Sequence, residues 1–213
     1  MKILTDPKSI EAKSFQIVNC YLRDVKLPAL QKEVVQRVLH ATSDPHYIKD
    51  LVFHSRAIRE ALAAIRNGKN IIVDAGMVKA GINKKILFNF GGKVICLINR
   101  KDIVKQSSRL KITRSILAMR KARKLMEGGI VAIGNAPTAL FEICDLVSKS
   151  KARPALIIGL PVGFVGAKEA KEKLRSLNIP YITNRSRYGG SSVAAACINA
   201  LLKIATKEKR KNA

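Results

Sequence analysis

The stretch IVAIGNAPTALFEICDLV, residues 130–147, changes its hydrophobic pattern near its centre. The unbroken apolar run at 130–133 is typical of a strand that is covered on both faces of a parallel sheet. It reaches Gly134 and a turn at 135–138, after which apolar residues recur at helical spacing. The stretch therefore predicts a buried strand, a polar turn and a helix in series.

The same alternation recurs from about residue 69 onward. Four more apolar runs end in a polar or glycine-bearing loop: KNIIVDAGMVKAGI, KVICLINRKD, PALIIGLPVGFVGA and PYITNRSRYGGSS. Helix-like segments lie between several of the runs: TRSILAMRKARKLMEGG, TALFEICDLVSKS, AKEAKEKLRSLN and SSVAAACINALLKIA. This order predicts an α/β, three-layer fold with right-handed crossovers and a mainly parallel sheet of about five strands with flanking helices.

The first 68 residues are predicted to be helical. Asp6 can cap a first helix, in which Ile10, Ser14, Ile17 and Tyr21 share one face. A second helix is expected from about residue 28 to near residue 40, and a third from residue 55 to a glycine cap at residue 68.

Length and composition favour a single domain over residues 1–213, with residues 206–213 as a frayed basic tail. A chain of 213 residues can bury one sizeable core, and 47% hydrophobic residues exclude disorder. No apolar run is long enough to span a membrane, and the start lacks the apolar core of a signal peptide. We therefore expect a cytoplasmic protein with no membrane partner.

The four cysteines, Cys20, Cys96, Cys144 and Cys197, are widely spaced and form no CxxC pair. This spacing favours free buried thiols over disulfides or a zinc site. We predict no metal site.

The charge is the strongest global signal. Forty Lys and Arg against fifteen Asp and Glu give a net charge of +25, which attracts anions. Three interpretations remain open: nucleic acid, a small and highly anionic substrate, or a solvated basic surface. Aromatic residues are only 5% and Trp is absent, so a stacking platform for single strands is poorly supported.

Ligands of open parallel sheets bind beyond the carboxyl ends of the strands, where helix N-termini also point. The sequence predicts several polar groups at that edge: Asp74, Asn99, Asn135, Thr138, the turn at 161–163 and the loop RSRYGGSS at 185–192. None of these loops has a GxGxxG fingerprint or a P-loop, which disfavours a nucleotide site. Taken one by one, their glycines are also explained by tight turns.

Three further side chains are candidates, and each has a structural alternative. Arg114 follows a cap at Thr113, where a cation opposes the helix dipole; it either tolerates this cost in solvent or binds a carboxylate or phosphate. His40 ends the second helix, where the protonated imidazole is favoured; it is either a general acid or a helix cap, with His46 and His54 as rivals. Ser14 is otherwise a hydroxyl bonded to its own backbone.

Seven segments together resemble the precorrin-8X methylmutase family of cobalamin biosynthesis. They are SFQIV (14–18), RVLHA (37–41), DAGMVKAGI (74–82), TRS (113–115), VAIGNAPTALF (131–141), ALIIGLPVGFVGAKEAK (155–171) and YGGSSVAAACINALL (188–202). The resemblance covers nearly the whole chain in order, and IGNAPTAL and PVGFVGAKE are long and specific.

The resemblance implies an isomerase that moves a methyl group from C-11 to C-12 of a corrinoid macrocycle without an external cofactor. Family members are α/β homodimers with the substrate near the subunit interface. The family's histidine matches His40 and is thought to protonate, or hydrogen-bond, a pyrrole nitrogen. The family's substrate contacts match Ser14, Arg37 and Arg114.

Position at the strand ends extends this site. We add Asn135, Thr138, Gly189, Gly190 and Ser191 as expected substrate contacts. The sequence departs from the family pattern in two places, Ala75-Gly76 and Tyr188, both of which concern the wall of the pocket.

Two functional hypotheses follow. The first is the methylmutase, whose substrate carries many carboxylates and so suits a basic chain that binds no nucleic acid. The second is a basic α/β module for nucleic acid, although the chain lacks a helix-turn-helix or RNA-binding signature. The sequence does not decide whether the natural substrate contains cobalt.

Overall fold

The structure is a computed structural model, and it describes residues 4–211. Its centre is a sheet of six strands: β1 (Leu51–Phe53), β2 (Ile71–Val73), β3 (Val94–Cys96), β4 (Ile130–Ile133), β5 (Leu156–Gly159) and β6 (Tyr181–Asn184). The strand order is β1-β6-β5-β4-β2-β3. All neighbours pair in parallel except β1, which pairs antiparallel with β6 at one edge.

The helices before β4 are α1 (Pro7–Leu22), α2 (Ala29–Thr42), α3 (Tyr47–Asp50), α4 (Ala57–Arg66), α5 (Gly76–Gly81), α6 (Lys84–Phe88), α7 (Lys101–Leu110) and α8 (Arg114–Ala122), the last extended by a 3₁₀ turn (Arg123–Met126). Three more follow: α9 (Pro137–Ser148), α10 (Ala167–Arg175) and α11 (Ser191–Lys211).

Two hydrophobic clusters lie on opposite faces of the sheet. Alternate strand residues divide between them: Ile71 and Val73 belong to the cluster with α2, α4 and α11, whereas Ile72 belongs to the cluster with α8, α9 and α10. Side chains of successive strand residues point to opposite faces, and both faces here are covered by helices. The continuous apolar runs of the sequence thus form the middle of three layers, which confirms the predicted fold class.

All five predicted strands are present, and β1 is an additional strand that the sequence analysis missed. Only three residues long, it lies in the part of the chain that was predicted to be helical. Such a short segment shows no period in its sequence. It is a strand because the edge of β6 offers it hydrogen-bonding partners, with Leu51 opposite Asn184.

The predicted helix caps are confirmed at Asp6 and Thr113. The Asp6 carboxylate accepts a hydrogen bond from the Ser9 amide at 2.8 Å, and Thr113 is the N-cap of α8. Helix α2 continues to Thr42, so His40 lies in its last turn rather than at its end. Helices α5, α6 and α7 were not predicted.

The basic tail was predicted to be frayed, but α11 continues through Lys211. Two ion pairs hold this part of the helix to the body of the protein. Lys207 pairs with Glu33 of α2 at 2.6 Å, and Glu208 pairs with Arg66 of α4. Residues 212 and 213 lie outside the described residues.

The strand order places a topological switch point between β2 and β4. The connection after β2 uses α5 and α6, which pack with the α11 face, whereas the connection after β4 uses α9 on the opposite face. The two connections therefore run to opposite faces of the sheet beyond the carboxyl ends of neighbouring strands, and they leave a crevice there. Within residues 4–211, no helix has the length and apolar character needed to cross a membrane.

Candidate functional site

Asp74 occupies the switch point and organises the turn after β4. Its fully buried carboxylate accepts hydrogen bonds from the amides of Gly134 (3.0 Å), Asn135 (2.9 Å) and Ala136 (2.7 Å). Burial raises the pKa of the Asp74 carboxyl, and the three backbone donors oppose that shift. The carboxylate therefore fixes the backbone of the turn that carries the predicted contact Asn135, whose side chain is exposed.

A cluster of three hydroxyl groups joins the N-termini of α8 and α9. Ser115 Oγ lies 2.9 Å from Thr138 Oγ1 and 3.1 Å from Thr113 Oγ1. Beside them, Arg114 is exposed, and its Nη1 donates to Asn99 Oδ1 at 3.5 Å. Hydroxyl groups, helix N-termini and a guanidinium all favour an anion, so this corner can bind a carboxylate.

The loop 185–190 leads from β6 to α11 and carries the predicted glycine pair. Asp50 accepts hydrogen bonds from the amides of Arg185 (3.0 Å) and Ser186 (2.9 Å), and from the side-chain amide of Asn184 (2.7 Å). Burial alone would raise the pKa of Asp50, but the hydrogen bonds from Asn184 and Ser186 outweigh it and the pKa is lowered. An ionised carboxylate thus holds the start of this loop.

His40 and Ser14 line the same cavity. It has a volume of about 270 Å³ and is lined by Ser14, Ile17, Val18, Tyr21, Leu39, His40, Ser43, Asp44 and Pro45. The Ser14 hydroxyl donates to the Ile10 carbonyl at 2.9 Å, which was the structural alternative for this residue. Its oxygen retains acceptor capacity, so the bond to the backbone leaves room for a ligand contact.

The His40 ring stacks on Phe15, with ring centroids 4.8 Å apart and planes inclined by 10°. Nδ1 of His40 is buried and finds no hydrogen-bond partner among the described residues. A histidine that merely capped α2 would donate to a backbone carbonyl, and residues 4–211 offer no such bond to it. The described residues therefore offer Nδ1 no hydrogen bond that would fix the tautomer of this ring.

Arg37 is half-buried and lies one turn before His40 on α2. Residues three apart on a helix lie on the same side, so the guanidinium is on the side of the helix that carries the imidazole. The predicted contacts thus form three groups: Ser14 with Arg37 and His40, Arg114 with Thr138, and Asn135 with the segment 189–191. Gly134 packs against the backbone of Ser191. The turn that follows Gly134, with Asn135 and Thr138, therefore lies beside the segment 189–191 at the switch point.

Lys171 and Asn184 were missed by the sequence analysis. Lys171 of α10 is fully buried and donates to loop 185–190. Its spacing was the available signal, because it shares a helical face with Ala167, Ala170 and Leu174. Asn184 carried no comparable signal.

The cysteines are free, as predicted, although Cys20 is exposed and Cys96 is half-buried. Burial raises the pKa of the Cys144 and Cys197 thiols to about 12, which makes them poor nucleophiles. Within the described residues, no group of three or more His, Cys, Asp or Glu side chains could hold a metal ion.

Comparison with known proteins covers almost the whole chain. The family model described as precorrin-8X methylmutase matches residues 9–204. Two relatives named cobalt-precorrin-8 methylmutase are each 43% identical to the chain. The one from Priestia megaterium matches 93% of this chain and 88% of its own length, and the one from Methanocaldococcus jannaschii matches 97% and 98%. A solved precorrin-8X methyl mutase from Thermus thermophilus superposes with a TM-score of 0.88 at 36% identity, covering 94% of this chain and 97% of its own.

Proposed function

The chain belongs to the precorrin-8X methylmutase family, and we propose that His40 is the acid that assists its reaction. The protein is an isomerase of cobalamin biosynthesis, and the family reaction moves a methyl group from C-11 to C-12 of a precorrin-8 macrocycle. A methyl group migrates to a carbon that is short of electrons. A proton, or a strong hydrogen bond, on a ring nitrogen withdraws electrons from the conjugated system and so prepares the receiving carbon.

One observation carries this assignment: His40 lines a cavity while Nδ1 has no partner in the described part of the chain. The ring is held in place by Phe15 through stacking, which leaves the hydrogen-bonding capacity of the imidazole for a ligand. General acid assistance contributes about 10²- to 10⁴-fold in rate. No other histidine combines these features, since His54 Nδ1 accepts the Arg56 amide at 3.1 Å and His46 faces Asp50 at 3.6 Å.

The remaining contacts are proposed to hold the carboxylates of the macrocycle. Arg37 lies beside His40, Arg114 and Thr138 form the anion-binding corner, and the segment 189–191 borders the switch point. Arg114, Thr138 and the segment 189–191 lie beyond the carboxyl ends of the strands, where a flat ring with carboxylates on its rim would meet several of them at once. Ser14 and Asn135 complete the proposed set.

We propose that the natural substrate is the cobalt complex. The two relatives at 43% identity are both named for cobalt-precorrin-8. The test is turnover of cobalt-precorrin-8 and of metal-free precorrin-8X by the purified protein under the same conditions. A higher kcat/KM for the metal-free ring would contradict this choice of substrate.

A homodimer is proposed as the working unit. The α1 face that carries Ile10, Ile17 and Tyr21 is exposed in the single chain, and Phe164 and Val165 are 89% and 88% exposed. Apolar surface of this kind is typical of a protein-binding face, and a second copy is the partner that the family resemblance implies. Light scattering measures the mass in solution, and Ile17→Glu should shift the protein toward monomer.

The nucleic-acid hypothesis gains no support from the relatives, and we propose that the +25 charge attracts the carboxylates of the substrate. Duplex DNA should therefore compete poorly with a corrinoid at physiological salt. We also propose a cytoplasmic location, which the free cysteines support; cell fractionation tests it.

A further inference from the structure

Lys171 is a buried cation in an unusual environment. It is 0% exposed, and its Nζ donates to the carbonyls of Ser186 (2.8 Å) and Tyr188 (2.5 Å). Among the described residues it forms no ion pair with a carboxylate. Burial lowers its pKa to about 8, and the charge of Asp50 opposes the shift. A buried charge costs stability unless it is well bonded, so a lysine at this position needs an explanation.

Loop 185–190 is held by opposite charges that contact opposite backbone groups. The Asp50 carboxylate accepts hydrogen bonds from the amides of Arg185 and Ser186. The Lys171 ammonium donates hydrogen bonds to two carbonyls of the same loop. Asn184 adds a second donor to the Tyr188 carbonyl at 2.9 Å. The loop is thereby fixed from α3 on one side and from α10 on the other.

The conformation of this loop sets the position of the glycine pair. The Gly190 amide donates to the Leu160 carbonyl at 2.9 Å, and a Cβ on Gly189 would lie only 2.4 Å from that same carbonyl oxygen. At Gly190, by contrast, a Cβ would meet nothing within 4 Å. A side chain at position 190 would therefore enter open space next to the first turn of α11, although Gly190 itself is buried.

We propose that Lys171 is a positioning residue for the segment Gly189-Gly190-Ser191. The inference rests on the proposed function, in which this segment contacts the corrinoid. Both Nζ hydrogen bonds of Lys171 go to backbone carbonyls that precede the glycines, and none goes to its own helix. Because Lys171 is fully buried, it acts through the loop and does not touch the substrate.

The test compares Lys171→Met with Lys171→Arg and Lys171→Gln. Methionine matches the length of the buried stem and removes both donors, arginine keeps charge and donors, and glutamine keeps an uncharged donor if the methionine variant does not fold. Lys173→Met is the matched control, because Lys173 lies on the same helix but pairs with Asp145 and not with the loop.

Two readouts separate positioning from a general structural role. Hydrogen exchange of the amides at 186–191, measured without any corrinoid, should quicken at least about tenfold in Lys171→Met while β4 and β5 keep their protection. Titration with the product corrinoid, followed by its visible absorbance, should show affinity about 10- to 100-fold weaker, as for lost hydrogen bonds to a charged group. KM should rise by a similar factor with kcat changed only a few-fold. Lys171→Arg should recover part of each effect, and Lys173→Met should behave as the native protein.

Two outcomes would overturn the proposal. One is native exchange rates at 186–191 in both Lys171→Met and Lys171→Gln. The other is a loosened loop that binds the product corrinoid with native affinity. Failure of the proposed acid role of His40 would be a distinct result. A fully active His40→Ala protein would reject that role without changing the ligand-free exchange rates at 186–191.

Discussion

The carboxylate of Asp74, at the end of β2, accepts the amide proton of Ala136, just before α9, at 2.7 Å. This contact crosses the switch point of the sheet, because it joins the turn between β4 and α9 to the buried carboxylate that follows β2. Gly134 and Asn135 donate to the same carboxylate. The turn that displays Asn135 and Thr138 is therefore defined by a side chain that itself has no exposed surface.

Asp74→Ala should lower the free energy of unfolding by about 3 kcal/mol or more, because one buried and two half-buried backbone amides lose their acceptor. Asp74→Asn keeps one acceptor oxygen and should cost roughly half as much. Denaturant unfolding followed by circular dichroism measures both. Equal stability of Asp74→Ala and the native protein would show that the turn does not depend on this carboxylate.

His40→Ala should fold normally and lose about 10²- to 10⁴-fold in kcat, because the acid that assists methyl migration is removed. Binding of the product corrinoid should persist, since the carboxylate contacts remain. Single-turnover kinetics measure the chemical step directly. His54→Ala, which changes a histidine outside the cavity, is the matched control and should keep its rate. A near-native rate in His40→Ala would reject the acid role.

Arg37→Ala and Arg114→Ala should each weaken corrinoid binding by about 1–3 kcal/mol through the loss of a charge-assisted hydrogen bond. Arg153→Ala controls for the change in net charge, because this exposed arginine precedes β5 at the amino ends of the strands. Equilibrium titration at several salt concentrations is the measurement, and affinity should fall as salt rises. The assignment is wrong if Arg153→Ala weakens binding as much as the other two.

Alanine at the two loop glycines should have different effects. Gly189→Ala should destabilise the protein by about 3 kcal/mol or more, since its Cβ would lie 2.4 Å and 2.9 Å from two backbone oxygens at a φ of +152°. Gly190→Ala should cost about 1–2 kcal/mol of backbone strain but reduce corrinoid affinity about tenfold, because its Cβ enters the open space at the site. Thermal unfolding and product titration separate the two effects.

Lys171 makes a testable contribution to the pH dependence of stability. Its pKa is lowered from 10.5 to about 8, so between these values the unfolded chain holds a proton that the folded chain has released. The cost of the buried charge is therefore complete below pH 8 and is relieved as pH rises toward 10.5. The stability of the native protein relative to Lys171→Met should increase from pH 8 to pH 10, by up to about 1.4 kcal/mol per pH unit. A difference that stays constant over this range would contradict the burial of a charged amine.

The core strands could be predicted from the sequence, because a strand that is buried on both faces consists of apolar residues throughout. The run at 130–133 is apolar throughout, and β4 is buried on both faces. Strand β1 could not be predicted in the same way, since its conformation depends on β6, which lies about 130 residues later. Helix α7 is mostly polar and exposed, with Ile103 its one fully buried side chain, yet its sequence is amphipathic at helical spacing, so this helix carried a signal that the prediction missed.

The candidate site divides along the same line. Thr113 and Asp6 were predicted as caps, because a cap is local and its partners lie within three residues. The roles of Asp74, Asp50 and Lys171 depend on backbone groups that lie 15 to 136 residues away in the sequence. Partners at such separations are determined by the fold of the whole chain, and no local sequence pattern indicates them.

The antiparallel pairing of β1 with β6 also bears on how the protein is made. Asp50 is the last residue of α3, yet its partners Asn184 and Ser186 leave the ribosome about 134 residues later. Helix α2, which carries His40, packs on α11, the last element within residues 4–211. During synthesis the N-terminal helices must therefore remain, with their apolar faces uncovered, until α11 has been translated. Contacts of such long range slow folding and expose the nascent chain to aggregation. A chaperone that shelters residues 7–50 during elongation would act on the segment that waits longest.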